Sequence, residues 1–399
     1  MTKPGRLAAW VLVVASLGCV PVVAQTTVVS TPAVETVDHA AACRALVTKV
    51  VKEQHLVGIS AIIAKDGKPV FEEHQGFEDR EAGVKAGAQT MYRWASISKP
   101  VTATLVMMLI QANKFDLDAD IRSLVPEFPQ QPNGWVVTPR QLLGHLGGVV
   151  HYSNGKVVKL PVPEKPEHPY EDVVKALDTF KESPLLFEPG TKYSYTTHGY
   201  MLLAAAVQRA SGEKFATLAQ HWVADGASMT TFQPDYQWKK IEHRAAGYRK
   251  GKDGEMERST DTDVSWKLGG GGFISTVADL SHFSVALMEG QLVSPESFKL
   301  MCTPQKTKDG KATTYGMGLG VGKLGDKPTA SHSGSQEKTA TMMLMVPDDH
   351  LTVAIMSNTE GASLGRLADE LAAEWLGVEL TPAKAKPAKK PDAEPKPAK

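Results

Sequence analysis

The sequence predicts an α+β fold, an α/β sandwich in which strands from both chain ends form one antiparallel sheet flanked by helices, with an inserted, mainly helical lobe. Near the N-terminus, Asp66-Gly67 separates two apolar runs, a strong short-range signal for a hairpin. Near the C-terminus, Thr339 to Val346 and Leu351 to Ser357 flank Pro347-Asp348-Asp349 and predict a second hairpin. Between about Pro100 and Trp266 the chain shows helical spacing and long Gly/Pro-rich loops instead.

The individual elements follow from hydrophobic spacing and turn residues. Ala42, Leu46 and Val50 recur at helical spacing and predict a first helix over Asp38 to His55. The strands of the first hairpin are predicted at Val57 to Ala64 and from Pro69 onward. Further helices are predicted at Val101 to Ala112, Pro139 to Leu143, Tyr170 to Phe180, Tyr200 to Ala210, and Leu364 to Trp375, the last ending near Gly377.

These elements divide the chain into five predicted parts. They are a signal peptide (1–24), a linker (25–37), an α/β sheet lobe (38–99 plus 267–379), a helical lobe (100–266) and a disordered Pro/Ala/Lys tail (380–399). The tail cannot bury enough apolar area to offset the entropy cost of ordering. A cleft is expected at the seam between the two lobes, where ligand sites tend to lie.

The first residues are typical of an export signal. Lys3 and Arg6 precede an uncharged stretch from Leu7 to Leu17, and Val22-Val23-Ala24 is typical of a cleavage site. The protein is therefore predicted to be exported, periplasmic or extracellular. The apolar stretch is too short to span a bilayer, so no transmembrane segment is predicted in the mature chain. Cys19 allows the less favoured alternative of a lipid anchor.

Composition excludes several function classes. The 399 residues carry 44 Lys+Arg and 44 Asp+Glu, so no general attraction to nucleic acid or an anionic membrane is expected. After signal cleavage, Cys43 and Cys302 either pair or remain separate thiols. His145 and His151 are the closest histidine pair but have no carboxylate at metal-ligand spacing, so no metal or cofactor is predicted. The pattern does not specify an oligomeric state.

Four Ser-x-x-Lys pairs occur in the chain, and their context separates them. Ser153 lies in a turn sequence, and Ser211 looks like the stop of an apolar helix. Ser335 is predicted to open a strand, where positions three apart point to opposite faces. Ser96 alone sits just before a strongly apolar helix, where the three-residue spacing puts serine and lysine on the same face, one turn apart.

The chemistry of nucleophilic catalysis fits Ser96. A serine hydroxyl is a poor nucleophile unless a base takes its proton, and Lys99 lies one turn away. A helix N-terminus supplies partial positive charge and free N–H groups, which favour a developing anion. The same field and burial disfavour the charged form of Lys99, which would let it act as a neutral base.

Two further segments complete a recognisable set. Pro189 to Tyr200 reads as a loop that enters a helix, and His332-Ser333-Gly334-Ser335 leads into the strand from Thr339. Together with Ser96 to Lys99, and in this order, they resemble the motifs of the serine β-lactamase and penicillin-binding family, of the class C β-lactamase-like kind. Gln141 to Gly148 and Gly270 to Leu280 look like lesser motifs of the same family. The resemblance covers roughly His39 to Gly377 and is closest to the β-lactamase-like serine proteases.

The resemblance implies a role for each matching residue. Ser96 would attack a carbonyl and become acylated, and Tyr195, paired with Lys99, would shuttle the proton. A phenol flanked by cationic groups is expected to have a lowered pKa. His332 would stand on the leaving-group or carboxylate side, and the backbone N–H groups of Ser96 and Ser335 would form the oxyanion hole. The predicted substrate-binding and oxyanion residues are Thr197, His332, Ser333, Gly334 and Ser335.

Two departures from the family pattern bear on the substrate. Thr197 replaces the usual Asn, offering a short hydroxyl in place of an amide. His332 in place of Lys removes a permanent charge at neutral pH. We therefore expect a serine hydrolase that cleaves an amide or ester in a small molecule or peptide, as a peptidase or esterase of the cell envelope. The alternatives are a true class C-like β-lactamase and, in another class, a non-catalytic envelope-binding module on the same fold.

Overall fold

The computed structural model describes residues 38–158 and 168–380. The predicted signal peptide and linker lie outside these residues, as does the predicted tail apart from Leu380. No helix within the described ranges is long and apolar enough to cross a membrane. The predicted limits of the helical lobe, 100 and 266, stay a prediction.

Among the described residues, strands from the N-terminal and C-terminal parts form one seven-stranded antiparallel sheet, as the sequence predicts. Its order is β3-β2-β1-β12-β11-β10-β9, so the first long strand pairs directly with the last. Its strands are β1 Gly58–Lys65, β2 Lys68–Asp79, β3 Val84–Lys85, β9 Gly320–Leu324, β10 Lys327–Gln336, β11 Thr339–Val346 and β12 Leu351–Ser357. A small sheet, in the order β4-β8-β5, holds β4 Tyr92–Arg93, β5 Gln233–Pro234 and β8 Phe273–Ser275; β6 Tyr248–Lys250 pairs with β7 Met256–Arg258.

Both predicted hairpins are confirmed. Asp66 and Gly67 connect β1 to β2 with φ values of 51° and 74°, the left-handed pair that a tight two-residue hairpin turn requires. At the other hairpin, Pro347–Asp349 forms a single 3-10 turn between β11 and β12. Each turn therefore sets the register of a central strand pair.

Helices cover both faces of the sheet. They are α1 His39–Gln54, α2 Ser98–Gln111, α3 Pro139–Leu143, α4 Thr197–Ser211, α5 Phe215–Leu218, α6 Leu268–Gly271, α7 Val277–Met288, α8 Pro295–Met301 and α9 Gly365–Leu376. Successive side chains of a strand point to opposite faces. Accordingly Ile355 of β12 packs with α1 and α9, whereas Met356 packs in the cluster that contains α2, α4 and α7. The central strands are buried on both sides, which explains their continuous apolar runs.

One predicted helix is wrong. Tyr170 to Phe180 contains two short 3-10 segments, Pro169–Glu171 and Lys175–Thr179, rather than one α-helix. Asp172, between them, adopts an extended backbone conformation, and its side chain accepts a hydrogen bond from the N–H of Val174 at 3.0 Å. Such local side-chain bonds compete with helical backbone bonds, and helical spacing in the sequence does not reveal them.

The predicted position of Ser335 is also wrong. It lies near the end of β10 and does not open the next strand. Gln336 pairs with Thr339, so Glu337 and Lys338 form a two-residue turn, with Lys338 at a φ of 70°. His332 and Ser335 therefore lie in β10, one strand before the apolar strand β11 that was predicted from Thr339 onward.

Cys43 and Cys302 are both free thiols, so the disulfide alternative is not realised. Cys43 is buried in the cluster under α1, and Cys302 packs against the separate cluster on the other side of the sheet. Burial raises the pKa of each thiol to about 12, which disfavours the reactive thiolate.

Candidate active site

Ser96 lies in a single 3-10 turn, Ala95–Ile97, that runs directly into α2. Ala95 has a φ of 48°, a left-handed conformation that costs a non-glycine residue about 1 kcal/mol or more. Strand β11 holds the segment before it: Thr341 Oγ1 donates to the Trp94 carbonyl at 3.0 Å, and Thr339 Oγ1 donates to the Arg93 carbonyl at 3.0 Å. Ser96 is half-buried and faces a cavity.

Lys99 lies one turn further into α2 and is fully buried. Its Nζ is 3.0 Å from Ser96 Oγ, 3.1 Å from Thr197 Oγ1 and 2.8 Å from the Gly270 carbonyl oxygen. A neutral amine fits these partners, because two N–H groups can donate to Thr197 and Gly270 while the lone pair accepts the Ser96 proton. The α2 spacing thus places a possible base directly beside the candidate nucleophile.

Burial holds the pKa of Lys99 well below its usual value, and the nearby charge of Lys267 lowers it further. No carboxylate within the described residues pairs with Lys99 to oppose these effects. The predicted neutral-base state of Lys99 therefore has a structural cause, the loss of water around an unpaired ammonium.

The glycines of α6 are what let Gly270 reach Lys99. A Cβ at Gly269 would lie 2.5 Å from Ala204 Cβ, and one at Gly270 would lie 2.7 Å from Thr197 Cγ2. Both distances are too short for real contacts, so the α6 backbone packs against α4 at a separation that only glycine permits. The run Gly269 to Gly272 thus has a packing function beside the site.

Tyr195 precedes α4 and hydrogen-bonds to Ser96 through its phenol. Its ring centroid is 4.8 Å from Lys99 Nζ. The expectation of a lowered phenol pKa is wrong: burial raises the pKa of Tyr195 above its ordinary value, and the Ser96 hydrogen bond only partly opposes this. Because burial also favours the neutral form of Lys99, the positive charge that the expectation required is largely absent.

Thr197 faces Lys99 and does not line the cavity. Its hydroxyl accepts from Lys99 Nζ and donates to the phenol of Tyr152, and the residue is buried at the first position of α4. Thr196, one residue earlier, caps the helix by accepting from the Gly199 N–H at 3.2 Å. Thr197 was predicted to contact substrate, but it is not among the residues that line the cavity. Its position instead lets it orient Lys99, the candidate base.

His332 is buried in β10 and held in one tautomer. Its Nδ1 donates to the Ser333 carbonyl at 2.7 Å, so Nε2 must accept, and Tyr315 Oη donates to it at 2.9 Å. Burial lowers the pKa of His332 to about 3. At neutral pH this residue supplies no positive charge for a substrate carboxylate, in agreement with the departure noted in the sequence.

The end of β10 provides a free strand edge beside Ser96. Pairing with β9 stops at Ser331, and no other strand within the described ranges pairs with His332 to Gln336 on that side. A Cβ at Gly334 would lie 2.5 Å from the Trp94 carbonyl oxygen and 2.2 Å from Thr341 Oγ1. Glycine is thus required for β10 to approach the turn that carries Ser96. Exposed Ser333 and Ser335 flank it on the cavity side.

The cavity at this edge measures about 440 Å³. Among the predicted residues, those that line it are Ser96, Tyr195, His332, Ser333 and Ser335. The sequence analysis missed four aromatic lining residues, His151, Tyr152, Tyr193 and Tyr315. Tyr193 lies inside the Pro-Gly motif and could have been found there, whereas Tyr315 has no sequence signal beyond its Gly-rich loop. The described lining contains no lysine, arginine, aspartate or glutamate.

His145 lies behind Tyr195 and supports it. The two ring centroids are 4.2 Å apart, and His145 is fully buried with its pKa well below the usual value because of that burial. Its Nδ1 accepts from the Thr196 N–H at 3.2 Å. His145 therefore packs against Tyr195.

Within the described residues no group of three or more His, Cys, Asp or Glu side chains could hold a metal ion.

A serine beside a buried lysine and a tyrosine, at the start of a helix under the end of an antiparallel strand, defines a serine hydrolase of the penicillin-binding and β-lactamase-like fold. The family model described as Beta-lactamase matches residues 43–375. The chain belongs to the Beta-lactamase family, a family of serine hydrolases.

Curated relatives agree with this assignment, and a solved structure agrees with the fold. The mouse (Mus musculus) serine beta-lactamase-like protein LACTB, mitochondrial, is 28% identical, covering 83% of this chain and 79% of its own. Esterase EstB of Burkholderia gladioli is 32% identical over 48% of this chain and 50% of its own. The octameric penicillin-binding protein homologue from Pyrococcus abyssi has a TM-score of 0.73 at 23% identity, covering 85% of this chain and 77% of its own.

Proposed function

We propose that the protein hydrolyses an ester or amide bond through an acyl-enzyme on Ser96, with Lys99 as base and Tyr195 as proton donor. The observation that carries this proposal is the 3.0 Å contact between Ser96 Oγ and the buried Lys99 Nζ. Because the pKa of Lys99 is lowered by burial, an uncharged amine faces a hydroxyl in an open cavity.

The arrangement supports a balanced sequence of steps. Lys99 takes the Ser96 proton as Oγ forms a bond to the substrate carbonyl carbon, and the resulting oxyanion is held by the N–H groups of Ser96 and Ser335. The tetrahedral intermediate then collapses, and the leaving atom takes the Tyr195 proton as its bond to carbon breaks. Tyr195 regains a proton from Lys99. Water attacks the acyl carbonyl, its proton passes back through the same groups, and Ser96 is released as a hydroxyl.

The free edge of β10 favours an extended, peptide-like substrate. His332 to Gln336 can pair with an added strand through backbone hydrogen bonds. The neutral His332 and the uncharged aromatic lining favour a peptide or ester over a compound that requires a fixed cation at His332. That one relative is named an esterase supports the ester alternative. A class C-like β-lactamase is the second candidate, because Ser96, Lys99 and Tyr195 are all in place.

We place this activity in the cell envelope because residues 1–24 are typical of an export signal. The LACTB relatives carry the word mitochondrial in their names, so the relatives themselves give no support for this location. N-terminal sequencing of protein recovered from a periplasmic or secreted fraction tests it. A mature chain that begins at Gln25 is the expected result, and recovery of uncleaved protein in the cytoplasm contradicts it.

Intact-protein mass spectrometry tests the proposed nucleophile. A fluorophosphonate is expected to add one covalent label to the mature protein and none to Ser96→Ala. Ser211→Ala is the matched control, because Ser211 belongs to a second Ser-x-x-Lys pair, at the end of α4. Labelling that survives Ser96→Ala, or that is absent from the native protein, contradicts the proposal and leaves the non-catalytic alternative.

The same spectra with benzylpenicillin separate the two candidate functions. A stable adduct that requires Ser96 indicates a penicillin-binding peptidase-like site. Drug hydrolysis that requires Ser96, without a lasting adduct, indicates a β-lactamase and overturns the inference from Thr197 and His332. If the drug is untouched while the fluorophosphonate reacts, the substrate is a peptide or a simple ester.

A further inference from the structure

A second cavity adjoins the first on the side of Tyr193. It measures about 430 Å³ and shares two lining residues, Tyr193 and Thr314, with the cavity at Ser96. Its other walls come from two loops, one before Tyr195 and one between α8 and β9. The side chains that give it chemical character are Lys192, Lys311 and Asp309.

The two loops are tied together, so the second cavity has fixed walls. The Lys308 N–H donates to the Gly190 carbonyl at 2.8 Å, and Lys308 Nζ forms an ion pair with Glu188. Gly190 has a φ of 86°, and a Cβ there would lie 3.2 Å from two carbons of the Lys308 side chain. The Thr307 N–H donates to the Lys311 carbonyl at 3.0 Å, closing the turn below.

The lining of this second cavity has more positive than negative side chains. Among the described residues, neither Lys192 nor Lys311 forms an ion pair. Asp309 accepts hydrogen bonds from Thr307 Oγ1 and, at 3.2 Å, from the Lys311 N–H, so its own turn engages the carboxylate. Lys192 and Lys311 are both exposed residues, and the charge of Lys311 also acts on Asp309. The lining therefore carries two cations against one anion, which leaves a net positive charge beside Tyr193.

The second cavity is built in part by the loop that carries Tyr195, the proposed proton donor to the leaving group. The group that protonates the leaving atom must touch it, and under the proposed function that group is Tyr195. Tyr193 and Lys192 come from the same loop as Tyr195, and Thr314 precedes Tyr315, the partner of His332. A substrate that runs along the free edge of β10 therefore carries its leaving portion past Tyr193 toward the lysines.

We propose that this cavity is a subsite for acidic groups on the leaving portion of the substrate, with Lys192 and Lys311 as the residues that select them. The substrate class is then an acyl peptide, or an ester of one, with a carboxylate beyond the scissile bond. This inference rests on the proposed function and goes further, because it gives a charge preference that the uncharged lining at Ser96 cannot supply.

The test uses two depsipeptide esters with one acyl group and one scissile ester. In one, the leaving hydroxy acid carries Gly-Glu amide; in the other it carries Gly-Gln amide, so the reacting atoms are identical. The mature protein is expected to show a higher kcat/KM for the acidic ester by about three- to tenfold, the effect of two partly exposed ion pairs. This ratio should fall as ionic strength rises from low to physiological values.

Three variants assign the preference to these side chains. Lys192→Gln with Lys311→Gln should bring the ratio close to one, mainly by raising KM for the acidic ester. Asp309→Asn should raise the ratio, because it removes the opposing charge and keeps an oxygen for the turn. Lys68→Gln with Lys323→Gln, two exposed lysines on β2 and β9, is the matched control and should keep the native ratio.

The outcomes separate this inference from the proposed function. Hydrolysis of both esters at equal rates, with Ser96 required, overturns the acidic subsite and leaves the hydrolase intact. The same holds if the control pair lowers the ratio as much as Lys192→Gln with Lys311→Gln does. Failure of fluorophosphonate to label Ser96 overturns the proposed function itself, and the subsite with it.

Discussion

Lys99 contacts a serine, a threonine and a backbone carbonyl but, among the described residues, no carboxylate. Most buried lysines that serve stability are paired with an acid, because an unpaired buried ammonium is costly. Here the unpaired state serves the proposed chemistry, because the same burial that costs stability lowers the pKa of Lys99 and favours the neutral amine that can accept a proton.

Thr197 gives a test of how Lys99 is oriented. Thr197→Val keeps the shape of the side chain and removes the hydroxyl 3.1 Å from Lys99 Nζ. We expect kcat to fall about 10- to 100-fold, because a base displaced from its partner transfers a proton poorly. Thr197→Ser keeps the hydroxyl and should stay within a few-fold of the native rate. Equal rates in Thr197→Val and the native protein would show that Thr197 has no positioning role.

The rate of Ser96 labelling should depend on pH through Lys99. Only the neutral amine accepts a proton, so the rate should rise with pH and level off below the ordinary lysine pKa of 10.5. Lys267→Met removes a positive charge that lowers the pKa of Lys99, so the rising limb should move to higher pH. Lys323→Gln, on the exposed edge strand, serves as the control. If the rising part of the pH–rate curve does not move in Lys267→Met, the proposed effect of Lys267 on the pKa of Lys99 is contradicted.

The sequence predicts Ser96, Lys99 and Tyr195 as candidate site residues because short-range spacing and ordered motifs carry them, and the structure brings the three side chains together. It does not reveal the raised pKa of Tyr195, because that depends on how much water the folded chain removes from the phenol. The role of Gly270 is equally hidden: its carbonyl contacts Lys99 across 171 positions of sequence. Charge states at a site depend on packing that residue order alone does not describe.

At the scale of elements, the approach of β10 to the 3-10 turn of Ser96 sets the geometry of the site. Gly334→Ala would place a Cβ 2.5 Å from the Trp94 carbonyl oxygen and 2.2 Å from Thr341 Oγ1. The strand and turn must then separate, which moves the Ser335 N–H relative to Ser96. We expect kcat to fall about 100-fold or more, the cost of losing one oxyanion donor.

Gly322→Ala in β9 is the matched control for that experiment. A Cβ there meets only the Thr329 hydroxyl, at 3.2 Å, so activity should be nearly unchanged. Circular dichroism and a melting curve show whether Gly334→Ala is still folded. Native kcat in a folded Gly334→Ala protein is the result that contradicts the proposed geometry.

Elements whose turns are specified by their own residues lie where the sequence predicts them. Elements whose ends have no such residues were predicted incorrectly. Asp66-Gly67 and Pro347–Asp349 specify their turns, so both hairpins are found where predicted. The turn at Glu337 and Lys338 lacks glycine, so the sequence gives no sign that a strand ends there. Ser335 was therefore predicted at the start of a strand, whereas it lies near the end of β10. Tyr170 to Phe180 has helical spacing, but Asp172 between its two 3-10 segments is extended.

At the scale of the whole molecule, buried neutral histidines link stability to pH. Burial lowers the pKa of His332 to about 3 and holds that of His145 well below 6.5. In the unfolded chain each titrates near 6.5. Between these values the unfolded chain binds more protons than the folded one, so stability is lost as pH falls below about 6.5.

Urea unfolding at pH 7 and pH 5 measures this effect. His332 should lower the free energy of unfolding by about 2 kcal/mol between the two pH values, and His145 should act in the same direction. His332→Gln is neutral in both states and should therefore reduce the loss by about that amount. His39→Gln, at a partly exposed position at the start of α1, is the control. An identical pH dependence in native protein and His332→Gln contradicts the assignment.

The pairing of the first long strand with the last has a consequence for biosynthesis. Ser357 Oγ donates to the Gly58 carbonyl at 2.7 Å, and the two residues are 299 positions apart. At synthesis rates of about 5–20 residues per second, β1 waits roughly 15–60 s before β12 leaves the ribosome. During that interval the β1–β2 hairpin exposes an apolar strand edge that invites pairing with other chains. We therefore expect the nascent chain to aggregate less when this hairpin edge is covered until β12 has been synthesised.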